Sequence, residues 1–512
     1  MTSNHEEIEH VTADLAGHHA GTTTQVDRSR WVALVVLCVG MLMIVLDATV
    51  VNVALPAIQS DLGFSGSSLA WVVNAYLIAF GGLLLLAGRL GDLTSRRGVF
   101  LTGLATFTAA SLLCGLAQTQ AVLIAARFVQ GVGGAMTSAV ILGMIVTMFP
   151  DPREQARAIG VYSFVAAAGG SVGLLAGGVL TQSINWHWIF FINLPIGIAT
   201  AALALRLLGR DQGIGLRRGA DLPGAVLITS ALMLGVYTIV EPAAEDGWRA
   251  GSTLGLGAAA LVLLAAFVVR EASARHPLIP LRIFRSRNVA GANLIQALTV
   301  AGMFAMFFLG VLYLQRVLGY TTLQTGLAFL PVTVVLGTLS LRYSQPLIMR
   351  LGARTTLLPG LLLIAAGLVL VARVPVHGSY LRDLLPSMLL LGSGIGVAFP
   401  ALATLAMSGA TSHDAGLASG LVNTTTQVGA ALGLAVLATL SATRSQHLIG
   451  AGAATATALT GGYRLAFLIA AGLVAAAIAV AVTVLQPQRR PAREPRVGRE
   501  PTEPEPAHSP AA

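Results

Sequence analysis

Lysine is absent from this chain of 512 residues, and charge of any kind is scarce, with 10% of positions Asp, Glu, Lys or Arg against roughly 25% in a soluble domain. Without Lys the chain has neither the phosphate-binding Lys of a P-loop nor the Schiff-base Lys of a pyridoxal-phosphate enzyme, so transport driven by its own ATP hydrolysis is not expected. Cysteine is nearly absent too. Cys38 and Cys114 both fall inside apolar runs, are too few for a disulfide framework, and read as packing residues. No cluster of nucleophile and base, and no metal-ligand spacing, stands out. His5, His10, His18 and His19 are dispersed through a polar N-terminal stretch, which reads better as a tail than as a metal site. The expectation is therefore not an enzyme, with no resident cofactor and no metal.

What the chain does have is apolar sequence, 55% of residues. A span of the bilayer core needs about 20 apolar residues. Fourteen runs reach that length, at 31–56, 67–87, 98–117, 121–148, 156–180, 188–208, 222–241, 251–271, 289–314, 323–341, 353–373, 383–407, 415–440 and 464–485. The pair 222–241 and 251–271 is separated by an acidic stretch that runs from Glu241 to Asp246. All 31 basic residues are Arg, and with 22 acids they give a formal charge of +9. They are scattered between apolar runs rather than gathered on a soluble domain, so nucleic acid is not an expected partner. With the N-terminus inside, 24 Arg fall on the inner side and six on the outer, Arg127 lying within a helix. That bias sets both termini in the cytoplasm.

A weak repeat divides the runs. A shift of 256 lays Gly160, Ser163, Gly173 and Gly177 on Gly416, Ser419, Gly429 and Gly433, and a shift of 257 lays Arg97, Leu101 and Gly103 on Arg354, Leu358 and Gly360. The reading is an all-α polytopic membrane protein: a disordered tail over 1–29, a six-helix bundle over 30–210, a two-helix insertion with its flanking loops over 211–288, a second six-helix bundle over 289–486, and a disordered tail over 487–512. Transporters built of repeats hold substrate between the halves, near the midplane.

Two charges lie at membrane depth, where an ion costs about 2.5–3.5 kcal/mol on insertion scales. Asp47 in the first run sits about nine residues, or about 14 Å, from the outer end, and Arg127 in the fourth about 9 Å. The difference is within reach of a long Arg side chain, so a pair is expected, direct or through water. As a structural lock such a pair is a poor stabiliser. As an alternating partner for a proton or a cation, Asp47 has the chemistry of proton coupling. Gln130 follows Arg127 on the same helical face. Asn52, Asn74, Tyr76, Gln296, Asn423 and Gln427 are further intramembrane polar groups; interhelical hydrogen bonds account for most such groups, and the remainder are candidates to line a cavity. The turn after the second run carries Gly88, Asp92, Arg96 and Arg97, and Gly169, Gly173, Gly177 and Gly178 make the fifth run a small-residue groove for helix packing.

These stretches resemble the major facilitator superfamily, specifically its branch of fourteen-helix drug:proton antiporters, over residues 30 to 486. The likeness rests on Leu46-Asp47-Ala48-Thr49-Val50-Val51-Asn52-Val53-Ala54-Leu55-Pro56, the Gly88 to Arg97 loop, Arg127 with Gln130-Gly131, the Gly169 to Gly178 run, and Trp186 to Gly197 at the start of the sixth span. It implies the major facilitator fold, alternating access between two six-helix bundles, Asp47 and Arg127 in coupling to protons as the driving ion, the Gly88 to Arg97 loop as a cytoplasmic gate, and export. The implied protein is a monomer in a bacterial cytoplasmic membrane, exporting hydrophobic or amphipathic compounds such as drugs, dyes or antibiotics; a proton-coupled importer of a small metabolite on the same fold is the alternative. Leu174 stands where the fifth-helix pattern usually has Pro, which removes a kink and keeps the Gly spacing. Ser95 replaces a usual Gly in the loop, and Leu93 a frequent Arg. In the twelfth run Met388 falls where Arg127 would, so coupling is expected in the first half alone.

Overall fold

Apolar runs with almost no charge satisfy their backbone inside lipid only as helices or closed barrels, and here the outcome is helical throughout. A computed structural model describes residues 3–213, 215, 221–275, 277–278, 281–407 and 415–486; the expected tail over 487–512 lies outside them. The first half comprises α1 (Ser3–Leu62), α2 (Trp71–Leu93), α3 (Arg96–Gly115), α4 (Gln120–Met148), α5 (Pro152–Ser183), and a sixth span broken into α6 (Trp188–Phe191) and α7 (Asn193–Leu207). The insertion is α8 (Leu222–Val240), the short α9 (Pro242–Glu245) and α10 (Gly251–Ser273). The second half is α11 (Arg287–Arg316), α12 (Thr322–Thr338) continued through a π-helical turn into α13 (Gln345–Leu351), α14 (Ala353–Val371), α15 (Leu385–Met407), α16 (Ala415–Gly450) and α17 (Thr455–Thr483). Among the described residues 13 helices are long and apolar enough to cross a membrane, and α5 occupies the place of the remaining expected span. One expectation changes: the N-terminal tail read as disordered is helical backbone from Ser3 onward. No Pro precedes Pro56 in the chain, and a helix already nucleated in the first span propagates cheaply.

Small residues set which helices touch, and they do so twice. Gly173 and Gly177 of α5 press on Leu46, Thr49 and Val50 of α1, while Gly429 and Gly433 of α16 press on Ala297 and Ala301 of α11. A Cβ on Gly103 would stand 2.7 Å from the Thr137 nitrogen of α4, and one on Gly360 would stand 2.8 Å from the Ala398 nitrogen of α15. Gly131 of α4 backs onto the Tyr76 carbonyl, and Gly392 of α15 onto the Val332 carbonyl. Without a hydrophobic drive between helices in lipid, such close backbone approach supplies the packing energy. The repeat legible as scattered identities is thus one packing scheme used in both halves. Leu174 leaves α5 unbroken through the place of the expected kink, and its carbonyl receives Gly326 of α12.

The halves lean on each other at the ends away from the Arg-rich loops. There Gln315 donates to the Val53 carbonyl at 3.0 Å, Thr322 to the Gly178 carbonyl at 3.3 Å, and the Leu323 amide to Gln182 at 3.2 Å. The seam between α2 and α16 runs deeper, through Gly81 against Gln427 and Leu85 against Gly420. The insertion packs α10 on α8, and α8 along α2 and α16, so it covers that seam from one side.

Candidate functional site

Glycines 131, 133 and 134 of α4 draw α2 and α3 against it, which pulls the preceding turn, with Arg127, into the middle of the first bundle. Asp47 approaches from α1, itself held close by the α5 glycines. The two meet directly: Arg127 Nη1 lies 2.6 Å from Asp47 Oδ2, and the side chains are 1% and 0% exposed. Arg127 has further partners. Its Nη1 donates to Gln130 Oε1 at 2.6 Å, its Nε donates to the Val72 carbonyl at 2.9 Å, and its Cζ lies 4.5 Å from the centre of the Tyr76 ring, a cation–π distance.

The other carboxylate oxygen is held by neutral groups. Asp47 Oδ1 accepts from Gln130 Nε2 at 2.8 Å and from Asn193 Nδ2 at 3.1 Å. Ser111 Oγ on α3 accepts from the same two amides, at 2.6 and 3.3 Å. Five elements therefore converge on one neutral, fully buried cluster. Asn193, at the start of α7, reaches it because α7 packs on both α1 and α3. Cys114 packs beside it, its thiol 3.6 Å from Gln130 Oε1. A pair this well compensated can exist dry; the same pair with one partner neutralised cannot.

The remaining polar candidates separate. Tyr76 and Gln130 belong to the cluster. Asn52 is half-buried and bonds within its own helix, to the Ala48 carbonyl at 3.2 Å. Gln296 donates to Thr426 across the α11–α16 contact at 3.1 Å, an interhelical bond of the ordinary kind. Asn423 is exposed, and Gln427 is pressed against Gly81 in the inter-bundle seam. Asn74 is 0% exposed, and neither of its amide atoms has a hydrogen-bond partner among the described residues. It shares the α2 stripe of Gly81 and Leu85, facing α16.

At the Arg-rich end, Arg96 pairs with Asp92 at 2.9 Å and donates to the Gly143 carbonyl at 3.2 Å. Gly91 lets α4 approach, whereas Gly88 has only an ordinary contact with Ala139. Ser95, the departure from the usual Gly, is the N-cap of α3, accepting from the Gly98 amide at 2.9 Å. It also donates to Asp211 at 2.6 Å, and the Arg96 and Arg97 amides donate to the same carboxylate at 2.6 and 3.2 Å. Burial would push the Asp211 carboxyl up, but these donors outweigh it and hold the group below its ordinary value. Leu93 is buried and its carbonyl receives the Gly215 amide, as the Thr94 carbonyl receives that of Gly213. Ser95, Arg96 and Arg97 thus bond within the first half and to the linker after α7. Gly178, expected with the packing glycines, faces α12 rather than α1.

A bundle pair joined at one end, with a compensated charge pair inside one half, defines a class of membrane transporter. Residues 37–434 match the Major Facilitator Superfamily, and the chain belongs to it. It is a multi-pass membrane transporter of small molecules, not an enzyme. It is 39% identical over 454 residues to the puromycin resistance protein pur8 of Streptomyces alboniger, covering 87% of this chain and 90% of that protein. It is 41% identical over 412 residues to the cephamycin export protein CmcT of Amycolatopsis lactamdurans, covering 80% and 84%. Among solved structures, an inward-facing, unoccupied bacterial homologue of the lysosomal transporter Spinster superposes with a TM-score of 0.65 at 16% identity, covering 88% of this chain and 96% of that one.

Sequence reasoning missed three groups: Ser111, Asn193 and Asp211. The first two are small polar residues in apolar runs, a pattern too common to single out. Asn193 carried a signal in its place two residues before Pro195, whose missing amide loosens the helix there.

Proposed function

We propose that this chain exports hydrophobic or amphipathic organic compounds, antibiotics among them, in exchange for protons. The observation that carries the reading is the buried Asp47–Arg127 pair at 2.6 Å, and the printed functions of the relatives, resistance to puromycin and export of cephamycin, support the direction. The Arg-rich end is the cytoplasmic one, by the bias of Arg across the loops, with both termini inside a bacterial cytoplasmic membrane. The bundles then stand closed toward the outside, and the pair is intact. In the cycle, the outer seam opens, water reaches Asp47, and a proton neutralises it. Arg127, left without its counter-charge, is released toward the cavity and the substrate departs. Closure of the outer seam and opening inward return the proton to the cytoplasm, and the pair re-forms. One chain contains both halves of the path, so the monomer is the working unit and the proton is the only coupling ion.

The test is dye transport in energised everted vesicles with Asp47→Asn and Arg127→Ala. Both variants are expected to lose uncoupler-sensitive transport while still inserting in the membrane. Undiminished, uncoupler-sensitive transport in both would sink the mechanism.

A further inference from the structure

A protonated Asp47 carries a new donor, the acid O–H, and a buried donor needs an acceptor. The cluster fixes where that acceptor lies. Oδ1 already accepts from Gln130 Nε2 at 2.8 Å and from Asn193 Nδ2 at 3.1 Å, so a hydrogen placed on it would stand against two N–H groups. Oδ2 accepts from Arg127 Nη1 at 2.6 Å, and the same Nη1 donates to Gln130 Oε1, also at 2.6 Å. A single nitrogen therefore bridges Asp47 Oδ2 and Gln130 Oε1. Once Arg127 withdraws, an O–H on Oδ2 is the group that can join those two oxygens.

Gln130 is held in the orientation this requires. Its Nε2 carries two hydrogens, and both are engaged, one by Asp47 Oδ1 and one by Ser111 Oγ at 2.6 Å. Turning the carboxamide over would break both bonds and set Oε1 against Oδ1, acceptor to acceptor. Gln130 and Asp47 are both fully buried. The titratable side chains that face Asp47 among the described residues are Arg127 of α4, Tyr76 of α2 and Cys114 of α3. In the second half, the register that lays Gly131 on Gly392 gives the place of Gln130 to Leu391, which is buried. Where the second half has no acid at this depth, it has no amide either.

We propose that Gln130 is the positioning residue that holds protonated Asp47 by accepting its O–H. The proposal rests on the proton-coupled reading above. A proton from water bonds to Oδ2, the carboxyl becomes neutral, and Arg127 withdraws with its charge. The two side chains then pivot about the Nε2 to Oδ1 bond, and Oδ2–H donates to Oε1. Acid and amide close a ring of two hydrogen bonds, in which Gln130 exchanges one donor for another and neither side chain is left with an unpaired atom. The ring also occupies the acceptor to which Arg127 would return, so the guanidinium stays out while the proton stays on. On the inner side the proton passes back to water, the carboxylate has no O–H to give, and Arg127 Nη1 bridges the two oxygens again.

The test is infrared difference spectroscopy, acid minus neutral, on the full chain in phosphatidylcholine nanodiscs. Asp47 is expected to give a carboxylic acid C=O band that Asp47→Asn removes. Hydrogen bonds soften a C=O stretch, so in Gln130→Leu, the residue the second half carries at this place, the band is expected to move to higher wavenumber. Asn193→Leu removes a donor to Oδ1 but leaves the ring, and is expected to move it less. A second measurement leaves the cluster unaltered and so does not depend on the folding of the Leu variant. With glutamine labelled by 13C at its side-chain carbonyl, acidification is expected to shift a Gln carbonyl band, and Asp47→Asn to abolish that shift. An Asp47 acid band unmoved in Gln130→Leu, or no Gln carbonyl shift in the labelled chain, would overturn the proposal and leave proton coupling standing. Absence of any acid band that depends on Asp47 would overturn both.

Discussion

Neutralising Asp47 should unsettle the conformation described above more than removing Arg127 does at low pH. In Asp47→Asn, Arg127 keeps Gln130 Oε1, the Val72 carbonyl and the Tyr76 ring, but it keeps its charge as well, since a guanidinium does not deprotonate in proteins. Leaving one partner of a buried pair uncompensated costs about 3–5 kcal/mol. Transporter conformations differ by only a few kcal/mol, so a 3 kcal/mol penalty shifts their ratio roughly 150-fold. Arg127→Met leaves a carboxylate with two neutral donors, Gln130 and Asn193, and a carboxylate can shed its charge by taking a proton, so the penalty of that variant fades as pH falls. The double variant Asp47→Leu with Arg127→Met removes both charges and is expected to be near neutral or stabilising. Spin labels at Ser183→Cys, the last residue of α5, and Leu318→Cys, in the turn that leads from α11 into α12, report the outer seam where α5 meets α12. Asp47→Asn should add a long-distance population at every pH, Arg127→Met should add one that shrinks on acidification, and the double variant should show the short distance alone. An Asp47→Asn distribution identical to that of the unaltered pair would refute the reasoning, because the buried guanidinium would then cost nothing.

Asn74→Leu should favour the closed seam by about 1–3 kcal/mol, the cost of a buried amide without a partner, and slow efflux while shortening the mean distance between the same labels. Gly178→Val should do the opposite: its Cβ would stand 2.9 Å from the Leu323 Cα and 3.0 Å from the Thr322 carbonyl oxygen, so the seam at α5 and α12 has to part, and the long-distance population should grow. Asp211→Asn should free the Gly88 to Arg97 loop, read as faster proteolysis between α2 and α3. Because Asp211 is held below its ordinary value, its contribution is complete above the unfolded Asp value of about 3.9 and is lost only as pH falls through the lowered one. The unaltered loop should therefore stay protected at pH 5.

The membrane spans and the charge pair were legible because both break strong averages: a run of about 20 apolar residues has few meanings, and an ion inside one has fewer. Depth counted at 1.5 Å per residue was enough to pair Asp47 with Arg127. The neutral groups that complete the pair were not legible, since Ser111 and Asn193 look like any helix-packing polar residue until α7 is seen to pack on both α1 and α3. Asp211 escaped notice for a different reason. An acid in a linker reads as solvated, and only three-dimensional closure brings it onto the first amides of α3. Hydropathy likewise counts spans without naming neighbours, so the docking of the insertion along α2 and α16 had no signature in the chain.

The repeat sharpens what Asp47 is for. Glycines 131 and 133 of α4 have counterparts in Gly392 and Gly394 of α15, each backing onto the corresponding neighbour helix, and that register puts Met388 in the place of Arg127. The contacts of Gly177 with Val50 and of Gly433 with Ala301 put Leu298 in the place of Asp47. Met388 is fully buried and Leu298 packs on the same core, so the scaffold accepts an apolar pair at this depth, as it should if replacing a buried ion pair by hydrophobic groups is neutral or better. The charges in the first half are therefore not what the architecture needs to stand. They are a feature added to one copy of a packing scheme that is complete without them, and the chemistry such a pair adds is a dependence on whether Asp47 is charged.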